Sequence, residues 1–502
     1  MKVPAYWKPR EPKNALTCDP PVPYDLQSSY QWQSILEHDT CYAAEVFDKM
    51  MIELVYHPER TSSVIMRTDI ILDSQEDDSI LNKQKSVFEN LDERYQISRW
   101  IDRRIIPRNT NLDATMDQTV VVLHEKLEND RILMYLPHLD KSLEQPYNHL
   151  PYYHPAVAGI AFHYKGSSVE VLYLVEKDFQ RELSSRLLRT AHMLLLVLHK
   201  HCKGAVEGYQ KRMLHDTVVE RNKFQDTYVI LKDKYAKQLV DNWVEKTDPG
   251  KHVFEDLAIA AFLIELWKQT YSSNKEFSFV DVGCGNGLLV YLLLMEGYNG
   301  YGFDARKRKS WETYPLWVQV KLYEKVLVPY FLHDFETKIP FPQLPAGFTM
   351  SAANIHDGRF SENSFLIGNH ADELTPYLPI LARLNQKCYF MSIPCCVHDL
   401  TGAKISWALP KPRNPKHGGR YAMYIEWLMQ LSEEVGWNIE VEPLRIPSTR
   451  NYALIGRKLL SNDLLHSSLS TDALYDIVEK NHGSQGFFVH AMQVAAANSR
   501  SH

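Results

Sequence analysis

The chain has 502 residues, a length that predicts about two to three domains and excludes a minimal binding module. Hydrophobic residues make up 45% and charged residues 24%, a balance typical of globular proteins that excludes a disordered or fibrous chain. The formal net charge of -6, from 56 basic and 62 acidic residues, argues against a uniformly basic nucleic-acid coat protein. It leaves room for a nucleic-acid enzyme that carries local basic patches.

Cysteine usage and apolar stretches predict the compartment. The seven cysteines are scattered and include no Cys-x-x-Cys pair, so we expect reduced thiols and neither a disulfide framework nor a metal site. No apolar signal core follows Met1, and the longest apolar runs, Met193–Leu198 and Ala258–Ile264, are far shorter than the roughly 20 residues that span a bilayer. These features predict a soluble, cytoplasmic protein without a membrane segment.

Residues 1–200 are predicted to form an amino-terminal α+β domain. The pattern over Tyr30–Tyr56 predicts one amphipathic helix, and the polar stretch Asp73–Glu93 predicts a mobile surface loop. Four short β-branched or aromatic runs between Pro and Gly residues predict strands of a small mixed or antiparallel sheet. They are Thr119–Leu123, Ile132–Leu136, Gly159–His163 and Val169–Val175.

Residues 201–460 are predicted to form an α/β domain preceded by helices, and residues 461–502 a helix, an apolar stub and a tail. The periodicity is helical from Gln180 to Tyr271, and strands alternate with helices from Phe277 onward. The expected strands are Phe279–Val282, Tyr298–Phe303, Phe365–Ile367, Tyr389–Ile393, Asn438–Val441 and Tyr452–Ile455. This alternation predicts an open, mostly parallel, Rossmann-like sheet that binds its ligand beyond the carboxyl ends of the strands.

A glycine-rich turn follows the first of these strands. In Phe279-Val-Asp-Val-Gly-Cys-Gly-Asn-Gly287, an apolar strand ends in a turn that opens a helix. Glycines allow a sharp turn and a close approach of ligand to backbone, so we expect Gly283, Cys284, Gly285, Asn286 and Gly287 to bind a cofactor, Cys284 and Asn286 through their backbone. The spacing is G-x-G-x-G, which departs from the G-x-G-x-x-G of dinucleotide sites.

Two acids flank this turn. Asp281 precedes the first glycine and would repel a phosphate, whereas it would attract a cationic amino-acid group. Asp304 ends the next strand, where it can accept hydrogen bonds from ribose hydroxyls. Together they predict a site for S-adenosyl-L-methionine, the alternative being a purely structural glycine turn.

The segment Asp281–Gly287, with Gly302–Arg306 and Arg308–Trp311, resembles the tRNA (uracil-2'-O-)-methyltransferase family. Further blocks resemble it over about residues 220–457: Thr247–Asp256, Gly368–Pro376, Ile393–Cys396 and Arg445–Asn451. The resemblance implies a tRNA-processing transferase that methylates the ribose of uridine 44 in serine tRNAs, with S-adenosyl-L-methionine as methyl donor. An accessory protein cannot be read from the sequence.

The loop after the strand Phe365–Ile367 carries the candidate catalytic residues. Asn369 is expected to contact the cofactor, and His370 or Asp372 to accept the proton of a 2'-hydroxyl group. In the alternative interpretation, Asp372 caps a helix that starts near Glu373 and His370 only orients the loop. Cys395 and its neighbour Cys396 are expected to be small wall residues of the same pocket.

Basic residues near this pocket are candidates for tRNA phosphate contacts. One cluster follows Asp304, and another occupies an acid-free Pro/Gly loop. The residues expected to bind RNA are Arg306, Arg308, Lys309, Lys404, Lys411, Arg413, Lys416 and Arg420. A third cluster, Arg99, Arg103, Arg104 and Arg108, lies in the amino-terminal part, and each cluster alone also fits a solvated surface.

Two other functions stay open at this point. One is a methyltransferase for a nucleobase or a protein side chain, although such sites typically show an Asn/Asp-Pro-Pro-aromatic stretch where this chain has Gly368-Asn-His370. The other is a catalytically silent scaffold with a methyltransferase fold, which would have no need for Asp281, the glycines and Asp304.

Overall fold

The computed structural model describes residues 9–12, 20–77, 79–84, 87–88, 91–126, 129–177, 184–209, 215–332, 354–385, 387–413, 418–461 and 469–498. The chain forms two compact units, Met1–Gln210 and Lys211–His502. Helices α10 (Thr471–Lys480) and α11 (Gln485–Asn498) belong to the second unit, where an apolar stub and tail were expected after the first of them. None of the described helices is long and apolar enough to cross a membrane.

The first unit is built on a seven-stranded antiparallel sheet with the order β1-β7-β6-β5-β4-β3-β2. Its strands are β1 (Tyr30–Asp39), β2 (Ile65–Asp73), β3 (Tyr95–Pro107), β4 (Met116–Glu125), β5 (Arg131–Pro137), β6 (Gly159–Tyr164) and β7 (Ser168–Glu176). Its helices are α1 (Ala44–Tyr56), α2 (Ser79–Gln84) and α3 (Ser185–Val206). The predicted strands are confirmed as β4 to β7.

The predicted helix over residues 30–56 is wrong in its first half. Tyr30–Asp39 forms strand β1, which pairs with β7 across more than a hundred residues of sequence. Only Ala44–Tyr56 is helical, and it buries Phe47 and Met51 against the sheet. A partner so far away in sequence leaves no local signal, so the apolar residues of β1 were assigned to the helix that follows. Part of the predicted loop Asp73–Glu93 is helix α2.

The second unit is built on a seven-stranded sheet with the order β10-β9-β8-β13-β14-β16-β15, parallel from β10 to β14, with β16 antiparallel. The strands of this sheet are β8 (Ser278–Val282), β9 (Gly300–Asp304), β10 (Leu322–Glu324), β13 (Ser364–Asn369), β14 (Tyr389–Ile393), β15 (Trp437–Pro443) and β16 (Tyr452–Leu459). Strands β11 (Val326–Leu327) and β12 (Ile355–His356) pair separately. The predicted parallel sheet is confirmed.

Helices cover this sheet. They are α4 (Arg221–Asp241), α5 (Pro249–Thr270), α6 (Leu288–Met295), α7 (Leu316–Gln319), α8 (Leu378–Leu384) and α9 (Arg420–Glu434), with α10 and α11. Gly302 in β9 lets α6 and the glycine-rich turn pack closely on the strand, since a Cβ there would lie 2.6 Å from Val290 and 2.8 Å from the Cβ of Cys284. Because β8, β9, β13 and β14 run parallel, their carboxyl ends lie at one edge of the sheet, beside the glycine-rich turn.

Candidate active site

The glycine-rich turn is held by hydrogen bonds to the end of β9. The amides of Gly283 and Cys284 donate to the Phe303 carbonyl at 2.9 and 3.0 Å, and the Gly285 amide donates to Asp304 Oδ2 at 3.0 Å. Gly285 has a φ of +52° and nothing within 4 Å of a Cβ built on it. The backbone at Gly285 therefore faces open space that a ligand can enter.

The far side of the turn is occupied by protein. The Trp311 indole donates to the Gly285 carbonyl at 2.9 Å, and the Tyr314 hydroxyl to the Asn286 carbonyl at 3.1 Å. The Asn286 side chain accepts the Leu288 amide at 2.9 Å in the turn that leads into α6, whose N-cap is Gly287. A Cβ on Gly287 would lie 3.0 Å from Leu322, so Gly287 faces protein rather than a ligand. Trp311 and Tyr314 are themselves buried in the hydrophobic core.

A cavity of about 540 Å³ lies beyond the turn. It brings together residues predicted from three separate parts of the sequence, namely Gly283, Cys284, Gly285, Asn286, Asp304, Asn369, His370 and Asp372. Asp281 is only 1% exposed, and no described residue forms a hydrogen bond with its buried Oδ1 atom. Burial, and then the nearby Asp256 and Asp304, raise the pKa of Asp281 well above its usual value.

Two further acids, which sequence reasoning missed, lie in this cavity on α5. Asp256 accepts a hydrogen bond from Asn369 Nδ2 at 3.0 Å, and Glu255 Oε1 lies 3.1 Å from His370 Nε2. Burial and the adjacent Glu255 raise the pKa of Asp256 to about 7. The resembling block Thr247–Asp256 contained both residues, but a helix gives no sequence signal for which of its faces meets a distant sheet edge.

The acids determine which ligand this cavity accepts. Three buried carboxyl groups, of Asp256, Asp281 and Glu255, disfavour a phosphate and favour a cationic group. The Oδ1 atoms of Asp281 and Asn369 are buried and have no hydrogen-bond partner within the described part of the chain, so they are acceptors that such a group can satisfy. The site therefore fits the ammonium and sulfonium charges of S-adenosylmethionine, which Asp256, Asp281 and Asn369 could hold, and Asp304 could accept hydrogen bonds from its ribose.

A second cavity of about 290 Å³ shares Gly283, Asp304 and Arg308 with the first. His370 and Asp372 line both cavities as well. The other walls of the second cavity mix apolar side chains such as Val326, Leu327 and Phe487 with the charged side chains of Arg306, Lys325 and Glu373. Phe487 belongs to α11, so the carboxy-terminal helix contributes to the site, a role that the sequence did not predict. Because Asp304 lines both cavities, a planar group attached to a ribose at Asp304, such as an adenine, can extend into the second cavity.

The loop after β13 has a strained backbone. His370 and Asp372 have φ values of +56° and +43°, a region that side-chain-bearing residues rarely adopt and that recurs at functional sites. The 3-10 helix at Asp372–Tyr377 has Ala371 as its N-cap and no side-chain cap. The Asp372 carboxylate instead accepts a hydrogen bond from the Cys395 thiol at 3.0 Å. The alternative in which Asp372 caps this helix is therefore wrong.

Asp372, Cys395 and Cys396 form a polar group at the carboxyl ends of β13 and β14. Their ligand atoms lie within 4.8 Å of one another, a distance that a metal ion could bridge. Burial and the neighbouring Asp372 raise the pKa of both thiols. The thiols are therefore neutral hydrogen-bond donors at neutral pH.

The predicted RNA-binding residues have different surroundings. Exposed side chains are found at Arg306, Arg308, Lys309, Lys404, Lys411 and Arg420. Arg308 also lines both cavities and lies 3.7 Å from Asp304, and Arg420 donates to the Ile405 carbonyl. Arg413 forms ion pairs with Glu426 and Glu433 of α9, so its charge is compensated. Lys416 lies outside the described residues.

Two cations that the sequence did not single out lie at the mouth of the larger cavity. Lys251 is at the start of α5, and Arg450 precedes β16 with its guanidinium 4.4 Å from the Tyr421 ring centroid. Both are exposed. In the first unit, by contrast, Arg99 and Arg104 pair with Asp73 and Asp117.

The strand order, the glycine turn between two acids and the cationic-ligand pocket define an S-adenosylmethionine-dependent methyltransferase. The family model "Predicted AdoMet-dependent methyltransferase" matches residues 218–329, and "TRM44-like, N-terminal bet v1-like domain" matches residues 8–212. The chain belongs to the tRNA (uracil-O(2)-)-methyltransferase family. The relative of that name from Neurospora crassa is 41% identical over 85% of this chain and 86% of its own length. The relative of the same name from Kluyveromyces lactis is 36% identical over 94% of this chain and 97% of its own length. The one from Saccharomyces cerevisiae is 35% identical over 94% of this chain and 94% of its own length.

Proposed function

We propose that this protein transfers the methyl group of S-adenosylmethionine to the ribose 2'-hydroxyl of a uridine in tRNA, in the cytoplasm. The finer target, uridine 44 of serine tRNA, is part of the same proposal and rests on the sequence resemblance. One observation supports the chemistry most strongly. A single cavity combines buried acids suited to a cationic donor with an exposed carboxylate, Asp372, at the ends of neighbouring strands.

Each side chain has a role that follows from its surroundings. S-adenosylmethionine, when bound, supplies an electrophilic methyl group. Asp281 and Asp256 hold the cationic end of the donor, and Asp304 accepts from ribose hydroxyls. Asp372 is exposed and accepts the proton of the 2'-hydroxyl, since a weak nucleophile needs an aligned acceptor for that proton. His370 is a positioning residue, because Nε2 faces Glu255 and Nδ1 is buried.

The thiols bear on the competing function, methylation of the uracil ring. Covalent attack on a ring carbon requires a thiolate, whereas the pKa values of Cys395 and Cys396 are raised by burial and by Asp372. The neutral thiols therefore favour the ribose hydroxyl over the uracil ring as the methyl acceptor.

A substrate without the acceptor oxygen tests the reaction directly. We expect a serine tRNA with 2'-deoxyuridine at the target position to bind with parental affinity and to receive no methyl group. Nucleoside mass spectrometry of the ribose-containing tRNA should detect 2'-O-methyluridine. Methylation of the deoxy substrate would assign the reaction to the base, and equal methylation of tRNAs of other acceptor types would overturn the serine tRNA assignment.

Donor affinity should depend on pH through Asp256. Its pKa of about 7 falls when a cation binds beside it, so binding releases a proton and weakens as the pH drops below about 7. We expect a loss of up to about tenfold per pH unit between about pH 7 and 5.5, and proton release detected by calorimetry in buffers of different ionisation enthalpy. Asp256→Asn should flatten the profile. A pH-independent affinity with no proton release in the parent would contradict the role of this acid.

The cations at the cavity mouth should govern tRNA affinity. The double variant Lys251→Ala/Arg450→Ala should weaken tRNA binding and lower the slope of log K against log salt by about 1.4 to 1.8, the amount expected for two lost phosphate contacts. Lys237→Ala is the matched control, since this side chain is 90% exposed on α4 and pairs with Asp241. An unchanged slope in the double variant would assign Lys251 and Arg450 to a solvated surface.

A further inference from the structure

The first unit encloses a cavity of its own, formed within residues 54–194. Its volume is about 390 Å³, within the usual range for sites that bind small molecules. The walls are mostly apolar and include Leu54, Ile105, Met116, Ile160, Phe162 and Leu194. A wall of this kind accepts an apolar body of a ligand.

A buried cation, Arg103, also forms part of this wall. Arg103 is 4% exposed and lies 4.9 Å from the Tyr135 ring centroid. Its Nε and Nη2 atoms donate to Gln118 Oε1 at 3.0 and 2.6 Å, and Nη1 donates to the Val55 carbonyl. Burial lowers its pKa to about 10, so the guanidinium stays charged at neutral pH.

This charge has no counter-ion within the described part of the chain. The three hydrogen bonds of Arg103 go to two neutral oxygen atoms, Gln118 Oε1 and the Val55 carbonyl, and no described carboxylate forms an ion pair with it. Its neighbour Arg104, on the opposite face of β3, is exposed and pairs with Asp117. Buried charges in proteins are ordinarily paired, so an uncompensated guanidinium in a cavity wall indicates that an anion belongs there.

A second polar group in the same wall is incompletely satisfied. His154 is 5% exposed, and its Nδ1 atom bonds to the Pro155 carbonyl at 2.7 Å. Its Nε2 atom is buried and has no hydrogen-bond partner among the described residues. Arg186 and Arg189 of α3 also line this cavity, so the field near it is positive. Both features are expected of a site that takes up a polar, anionic group.

We propose that this cavity binds a small amphipathic carboxylate, whose carboxylate pairs with Arg103 and whose apolar body fills the space between Leu54, Met116 and Phe162. Two N–H groups of the guanidinium remain beyond the three bonds named above, enough for a carboxylate. The binding site is separate from the methyl-transfer reaction and does not depend on it.

Dodecanoate and dodecanol, which share a chain length, separate the contribution of the charge from that of the apolar body. Calorimetry on the full-length protein should show saturable binding of dodecanoate at least about tenfold tighter than dodecanol, as for one charge-assisted hydrogen-bonded contact. Arg103→Met should remove this preference, and Arg104→Met should keep it. Leu194→Trp, which leaves Arg103 intact and fills the space, should weaken both ligands.

The comparison within the parent protein decides the proposal even if Arg103→Met fails to fold. Equal affinities for dodecanoate and dodecanol would overturn the role of the charge. Absence of saturable binding would overturn the site altogether, and so would a loss in Arg104→Met equal to that in Arg103→Met. Methylation of tRNA by these variants is not the readout, so failure of the proposed function would leave this test unaffected.

Discussion

Asp372→Asn is expected to lower the single-turnover rate of tRNA methylation by about 100- to 10,000-fold, the usual contribution of a positioned proton acceptor. Asparagine keeps the size of the side chain and an oxygen that can accept from the Cys395 thiol, so the loop after β13 should retain its conformation. Donor affinity, tRNA affinity and the melting temperature should therefore stay near the parental values. Rapid-quench kinetics and calorimetry on the same preparation measure these quantities.

Two comparisons make this prediction specific. Asp357→Asn removes an exposed carboxylate that pairs with Arg359 outside both cavities, and it should leave the rate unchanged. His370→Ala should lower the single-turnover rate less than Asp372→Asn does. It should also weaken donor binding, because the imidazole ring lies against Glu255. A near-parental rate in Asp372→Asn, combined with a large loss of rate alone in His370→Ala, would make the histidine the proton acceptor.

Asp281→Asn is expected to weaken S-adenosylmethionine binding by roughly 10- to 150-fold, the range for losing one charged hydrogen-bond partner. The stability of the free protein should not fall. Burial raises the pKa of Asp281 above its unfolded value, so this acid stabilises the fold only at low pH, and its contribution is lost as the pH rises. Ionisation of the buried Asp281 carboxyl group is unfavourable at neutral pH. The uncharged amide of Asp281→Asn removes this unfavourable contribution, so the variant should be at least as stable as the parent.

A second variant tests the same pocket from the opposite side. Gly285→Val places a branched side chain in the open space beside the turn, at a φ of +52°. This variant should abolish donor binding, whereas Asp281→Asn only weakens it, and its circular dichroism spectrum should remain that of a folded protein. Lys237→Ala again serves as the surface control. Parental donor affinity in both Asp281→Asn and Gly285→Val would place the donor elsewhere in the chain.

Much of the donor half of the site could be predicted because its signals are local. The run from Phe279 to Gly287 contains a buried strand, the turn and the start of a helix within a few residues, and Asp304 ends the next strand. The parallel order of the sheet then brings Asn369, His370 and Asp372 to the same edge, as expected from their position after β13. Strand β1 was missed, since its partner β7 lies far away in the sequence.

What the sequence by itself determined is the chemistry of segments whose partners are their own neighbours: the glycine turn, the acids on either side of it and the alternation of strands and helices. Only the tertiary structure decided which charges are free. It places Glu255 and Asp256 of α5 in the active-site cavity, pairs Arg413 with α9, and buries Arg103 away from any described carboxylate. The physical reason is that the state of a charge depends on burial and on atoms a few ångströms away, which the chain supplies from remote positions.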